Sequence, residues 1–207
     1  MSEQLKKSAA LLLELMRSRH SVRMFSTKEI PVEVIKDCIA IAGTAPSGAN
    51  MQPWSFVLVK DKKMKIAIRE EAERVEQEFY DVKITPEWRE RLKPLGTDRN
   101  KPFLTEAPYL ICVFIQRFGL APDQQYVKHY YPSESAGIAT GFLLSALHQL
   151  GISTLVYTPA PMNFIAKLLN RPRNERAYLI VAAGYAHENY IPPDIEKKKL
   201  KDILTII

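Results

Sequence analysis

Between Gly137 and Tyr157 the chain carries no Asp, Glu, Lys or Arg. A stretch of that kind must be shielded from water, inside a protein core or inside a bilayer. His148 and Gln149, followed by the Leu150-Gly151 stop, divide it into a helix over about 132–150 and a strand over about 152–157, so it reads as core and not as a membrane span. Both pieces need other elements to cover them, and the hydrophobic periodicity supplies these. Helical patterns occupy about 4–18, 32–43, 62–81 and 162–169, with shorter helical pieces between about 86 and 106. Strand patterns occupy about 55–60, 107–116 and 177–184. The predicted class is α+β, with helices layered on a sheet.

With 207 residues, 46% of them apolar, and no Gly/Ser linker, repeat or low-complexity segment, residues 1–207 are expected to form one domain. The tail from about residue 190 is Pro- and Lys-rich and then ends on Ile203, Ile206 and Ile207, apolar groups that a tail cannot bury by itself; it needs another surface. The net charge of +6 comes from scattered basic residues interleaved with acids. A nucleic-acid face requires a denser stripe and is not expected. Cys38 and Cys112 have no C-x-x-C partner and read as buried free thiols of a reducing compartment. The four histidines lack metal-ligand spacing, so no metal is expected. The N-terminus has acids and no small-residue cleavage site, and a cytoplasmic protein without a membrane anchor is the expectation.

The stretch from Arg19 to Asp61 carries the chemistry. Arg19, Ser21 and Arg23 alternate, so in an extended segment their side chains share one side and offer two guanidinium forks and a hydroxyl to an anion such as a phosphate. Taken alone, the three fit a solvated basic turn as well. Beyond them, the loop Gly43-Thr44-Ala45-Pro46-Ser47-Gly48-Ala49-Asn50 is built of small residues that let backbone amides approach a flat ligand. No G-x-G-x-x-G, P-loop or G-x-S-x-G motif occurs, which argues against a Rossmann dinucleotide site, a nucleoside-triphosphate site and serine-hydrolase chemistry.

RHSVR, APSGANMQPWSF, HYYPSESAG, the TPAP turn and VAAGYAHENYIPPDIEKKKL together resemble the nitroreductase superfamily of FMN enzymes, from about residue 17 to the C-terminus, and more narrowly the iodotyrosine deiodinases. The resemblance implies a nitroreductase-like fold with a central, mostly antiparallel sheet flanked by helices, in an intertwined homodimer whose tails cross the partner and whose FMN sites lie at the subunit interface. It also implies the cofactor contacts. Arg19, His20 and Ser21 would lie at the FMN phosphate and Arg23 at the N1/O2 edge of the ring. Pro46 and Ser47 would approach from the small-residue loop, and Val156, Tyr157 and Thr158 from the strand end. The Thr158 hydroxyl would face flavin N5, where a hydrogen bond decides whether electrons leave singly or as a hydride. The deiodinases have a phosphate-binding arginine near the C-terminus where this chain has Lys197; Lys199 is an alternative, and neither lysine offers a bidentate fork.

Three further residues carry the narrower resemblance. Glu76 and Tyr80 are four apart on one helical face, and Lys101 follows after a polar connection. By resemblance, Glu76 would take the ammonium of an amino-acid zwitterion, Lys101 and the Tyr80 hydroxyl its carboxylate, and the Ala49 amide the phenolate oxygen of a halotyrosine. On a charged helix a Glu/Tyr pair is otherwise solvated surface. The implied reaction is reductive dehalogenation, with Trp88 and its neighbours as a lid and NAD(P)H, directly or through a reductase, as electron source. The alternatives are a broad-specificity nitro/quinone flavin reductase on the same fold and a flavin- or amino-acid-binding protein without turnover.

Overall fold

The computed structural model describes residues 2–120 and 125–207. Its centre is a four-stranded sheet of β1 (Trp54–Val59), β2 (Tyr109–Gln116), β5 (Ser153–Tyr157) and β6 (Glu175–Gly184) in the order β1-β2-β6-β5, with each adjacent pair antiparallel. The helices are α1 (Ser2–Arg17), α2 (Val32–Gly43), α3 (Lys62–Glu78), α4 (Pro86–Leu92), α5 (Phe103–Glu106), α6 (Pro132–Gln149) and α7 (Asn163–Leu168). Among the described residues no helix is long and apolar enough to cross a membrane.

β2 is apolar at almost every position because both faces of the sheet are covered. Leu110, Cys112 and Phe114 join Ile68, Ala72, Phe103, Leu104 and Ile165 in a core on the α3, α5 and α7 side. Ile111 and Val113 join Ile35, Cys38, Leu143 and Leu147 in a second core under α2 and α6. Cys38 and Cys112 are buried and free, and burial pushes the Cys112 thiol up to about 12, which leaves it protonated and unreactive.

The uncharged run divides where the sequence punctuates it. α6 ends at Gln149, and Gly151, at φ +72°, turns the chain back, a left-handed conformation that glycine adopts without steric cost. β6 begins at Glu175, two residues earlier than its apolar pattern suggests, because Glu175 and Arg176 pair with Gln116 and Ile115 of β2; the buried Glu175 carboxylate is held by Arg171 Nε at 2.7 Å. A hairpin of β3 (Phe118–Leu120) and β4 (Tyr126–Lys128) was not expected: three-residue strands carry too little periodicity to be recognised.

β6 ends at a point of close approach. A Cβ on Gly184 would lie 2.5 Å from Pro108 Cδ and 3.0 Å from Phe25 Cδ1, and a proline ring cannot swing aside. Gly184→Ala is expected to destabilise the fold by about 1–3 kcal/mol through overpacking, read as a lower denaturant midpoint. An unchanged midpoint would mean that Pro108 yields.

Apolar surface of α1 and of the tail stays in solvent within the single chain. α1 buries no residue and exposes Leu5, Leu11, Leu12 and Leu13, while the tail exposes Ile203, Ile206 and Ile207. α1 is tied at its C-terminal end to α6 by His148 Nε2, 2.7 Å from the Leu15 carbonyl oxygen.

Candidate active site

The segment after α1 runs extended beside the sheet. Ser21 bridges Thr154 in parallel, and the Val22 amide donates to the Thr154 carbonyl at 3.0 Å. Val22 is buried while Ser21 and Arg23 stay partly exposed, which is the alternation expected of an extended strand. The segment is pinned by the Tyr190 hydroxyl, which donates to the Ser21 carbonyl at 2.7 Å, and by Arg23, which donates to the same oxygen at 3.2 Å. Arg19, His20, Ser21 and Arg23 line a cavity of about 590 Å³ whose other wall is the tail. Lys197, Lys198 and Lys199 all reach it, so the position of the charge alone does not choose between Lys197 and Lys199.

Arg23 also lines a second cavity, of about 230 Å³, with Glu76, Tyr80, Trp88, Lys101, Val156, Tyr157 and Thr158. Residues far apart in the chain are gathered here by the packing of α3 against the end of β5 and the segment leading into α5. The Lys101 amide donates to Glu73 Oε1 at 2.7 Å, Arg69 donates to the Thr105 hydroxyl at 3.0 Å, and Lys65 Nζ donates to the Ala107 carbonyl at 2.7 Å. Lys65, Arg69, Glu73 and Glu76 form one stripe at helical spacing. That stripe was legible in the sequence but was not read as the fastening of residues 101–107.

Glu76 and Lys101 do not stand apart. Lys101 Nζ is 3.2 Å from Glu76 Oε2, and the two side chains are only 4% and 12% exposed, lysine first. Lys101 also donates to the Asp98 carbonyl and faces the Tyr80 ring with its Nζ 5.4 Å from the centroid. The Tyr80 hydroxyl donates to the Thr97 carbonyl at 3.2 Å. Burial, partly offset by its contact with Thr97, raises the Tyr80 phenol above its ordinary value, so it remains a donor. Tyr80 lies beyond the end of α3 in a π-helical turn, Phe79–Lys83, where the sequence pattern continues as regular helix. Such wider turns recur at functional sites. Phe79 meets Trp88 of α4 edge-on at 5.0 Å. α4 has no buried residue, and Trp88 is 52% exposed over the cavity.

Val156 on β5 and Thr158 just beyond it are exposed, while Tyr157 between them is buried. Its hydroxyl donates to Glu76 Oε1 at 2.9 Å. The Tyr157 side chain therefore belongs to the acid of the second cavity, and only its backbone shares the face of Val156 and Thr158.

Pro46, Ser47 and Ala49 line neither cavity. Their loop follows α2 and holds an unusual backbone: Ala49, Asn50 and Gln52 have φ of 49°, 54° and 48°. The Gln52 amide donates to Ser47 Oγ at 2.9 Å. A side chain on Gly48 would sit 3.3 Å from both the Tyr130 carbonyl oxygen and the Tyr131 ring, so the loop lies directly against the segment that enters α6.

A family model described as the nitroreductase family matches residues 16–185. The chain belongs to the nitroreductase family. Among its relatives within that family, an iodotyrosine deiodinase of Haliscomenobacter hydrossis is 48% identical over 99% of this chain and 91% of its own length, and one of Hydra vulgaris is 42% identical over 98% and 74%. A solved iodotyrosine deiodinase bound to FMN and 3-iodo-L-tyrosine superposes with a TM-score of 0.80 at 33% identity, covering 91% of this chain and 97% of the other. A nitroreductase with bound FMN from Bacteroides fragilis shares the fold, with a TM-score of 0.67 at 23% identity over 95% and 98%. The residues of this nitroreductase-family chain fit FMN: guanidinium forks, a hydroxyl and tail ammonium groups suit a phosphomonoester, and Arg23 links that basic cavity to the one that holds Thr158.

Proposed function

We propose that this protein is an FMN-dependent reductive dehalogenase of halotyrosines, converting iodotyrosine to tyrosine and iodide. The observation that carries this reading is the meeting of one acid, one base and one phenol, Glu76, Lys101 and Tyr80, in a cavity that shares Arg23 with the basic cavity. The Haliscomenobacter and Hydra relatives support it.

Arg19, Ser21 and a tail lysine would hold the phosphate, with His20 beside them, and Arg23 would supply a cation to the N1/O2 edge of the ring. Val156, the Tyr157 backbone and Thr158 would line the flavin, with the Thr158 hydroxyl as the donor to N5. Bound FMN supplies the two electrons that, with one proton, replace a carbon–iodine bond by carbon–hydrogen and release iodide.

The substrate enters by exchange of partners. In the free chain Glu76 and Lys101 neutralise each other. A zwitterion presents the same two charges in the opposite sense: its ammonium takes over Glu76 and its carboxylate takes over Lys101 and the Tyr80 hydroxyl. No buried charge is left unpaired before or after, which avoids the several kcal/mol that a stranded buried ion costs. Trp88 and α4, exposed and without buried anchors, act as the lid over the exchanged pair.

Pro46, Ser47 and the Ala49 amide lie away from these cavities within one chain, and the apolar faces of α1 and the tail are uncovered. A second copy accounts for both. The tail crosses the partner, each subunit lends its small-residue loop to the other's site, and residues 1–207 act as one domain of that homodimer. The purified protein is expected to be yellow, with about one FMN per subunit, and to sediment as a dimer. A colourless monomer that takes up no FMN would count against the whole reading.

The decisive experiment is anaerobic mixing of the reduced protein with 3-iodo-L-tyrosine. Rapid flavin oxidation with stoichiometric iodide release supports the dehalogenase. Oxidation by nitroarenes alone makes it a general flavin reductase, and binding without oxidation makes it a binding protein.

A further inference from the structure

The two oxygens of Glu76 have different partners. Oε2 faces Lys101 at 3.2 Å, and Oε1 accepts from the Tyr157 hydroxyl at 2.9 Å. Tyr157 is itself fixed. It is 9% exposed, its ring meets Phe103 edge-on at 5.3 Å, and Lys101 Nζ stands 5.8 Å from its centroid. Burial, reinforced by the adjacent Glu76 carboxylate, pushes its phenol well above the ordinary value, so it keeps its proton and donates. Glu76, by contrast, is a long side chain near the end of α3, where the helix widens into the π-helical turn. Holding such a side chain in one rotamer costs conformational entropy, and a packed phenol can absorb that cost in advance.

We propose that Tyr157 is a positioning residue that makes the site selective for the ammonium of its substrate. It holds Glu76 Oε1 and so presents Oε2 alone to a cation, which is Lys101 in the free chain and the substrate ammonium in the complex. This rests on the dehalogenase reading of the same cavity. Tyr157 acts only through Glu76, and phenylalanine at this position keeps the ring contacts while removing the donor.

The test compares two ligands on the FMN-loaded protein by quenching of flavin fluorescence: 3-iodo-L-tyrosine and its deaminated analogue, 3-(4-hydroxy-3-iodophenyl)propanoate. Tyr157→Phe is expected to weaken iodotyrosine binding about tenfold, the scale of a hydrogen bond to a charged group, and to change the affinity for the deaminated analogue by less than about twofold. Because the tyrosine works through the acid, Tyr157→Phe added to Glu76→Gln should cost nothing beyond Glu76→Gln alone. Equal losses for both ligands would make Tyr157 a packing residue and overturn the proposal, as would a Tyr157→Phe protein with undiminished preference for the amino ligand. If the unsubstituted protein shows no such preference, the zwitterion clamp itself fails and the positioning role falls with it. That outcome is told apart from the others because it appears before any substitution is made.

Discussion

Lys101→Ala is expected to weaken binding of 3-iodo-L-tyrosine by about tenfold to a hundredfold, the loss of one charge-assisted contact, while FMN stays bound. The effect has a second, diagnostic part. Removing Lys101 strands the Glu76 carboxylate in the free chain, where it is 12% exposed and, among the described residues, keeps the Tyr157 hydroxyl as its partner. A buried carboxylate left without its cation gains from any ammonium that arrives. A decarboxylated ligand, 3-iodotyramine, has no use for Lys101 and should bind the variant at least as tightly as it binds the original protein. Selectivity should therefore invert, which a general loosening of the cavity cannot produce. Flavin-fluorescence quenching by the two ligands measures it, and parallel losses for both would remove the exchange of partners from the account.

Thr158→Ala carries the second large effect. On the proposed reading its hydroxyl would reach flavin N5, the atom where single-electron and hydride chemistry part. The structure puts Thr158 on the outward face at the end of β5, in the wall of the cavity that holds Glu76 and Lys101. Loss of that donor should slow deiodination by about tenfold or more, the worth of a hydrogen bond made where charge develops. Hydride-type reduction of nitroarenes does not depend on the same bond and should persist. The measurement is the ratio of the two rates on one preparation. Equal losses, with FMN and iodotyrosine still bound, would assign Thr158 to shaping the turn before Pro159.

Much of this fold could be read from the chain because the elements are long and covered on known faces. Residues 109–115 are apolar throughout, and the helix before Gly151 has both a periodic face and a left-handed stop. The β3–β4 hairpin escaped because three residues establish no period. The structure gathers Arg23, Glu76, Tyr80, Lys101 and Thr158 around one cavity but leaves Pro46, Ser47 and Ala49 outside it, and the connections among the gathered residues were less legible in the sequence. Glu76 and Lys101 read as groups awaiting a ligand, since spacing does not reveal that two opposite charges will satisfy each other. Tyr157 entered with Val156 and Thr158 through the resemblance, and only the alternation of the strand shows that its side chain turns away from theirs, toward Glu76. Lys197 and Lys199 stayed unresolved for a different reason: consecutive exposed lysines on an extended tail all reach the same cavity. The reaction itself was read through family resemblance, which no periodicity could have replaced.

The small-residue loop has a consequence of its own. Ala49 and Gln52 gain nothing intrinsic from a left-handed backbone, which costs such residues about 1–2 kcal/mol each, so their shape is imposed by the contacts around them. What imposes it is the Ser47 hydroxyl and the contact of Gly48 with Tyr130 and Tyr131. The loop thus resembles a drawn spring held by a catch, with the paired tyrosines before α6 as part of the catch. If those tyrosines loosen, Ala49, Asn50 and Gln52 lose a restraint on their left-handed backbone. Two segments some eighty residues apart in the chain therefore behave as a single mechanical part, and a change made in one is a change made in the other.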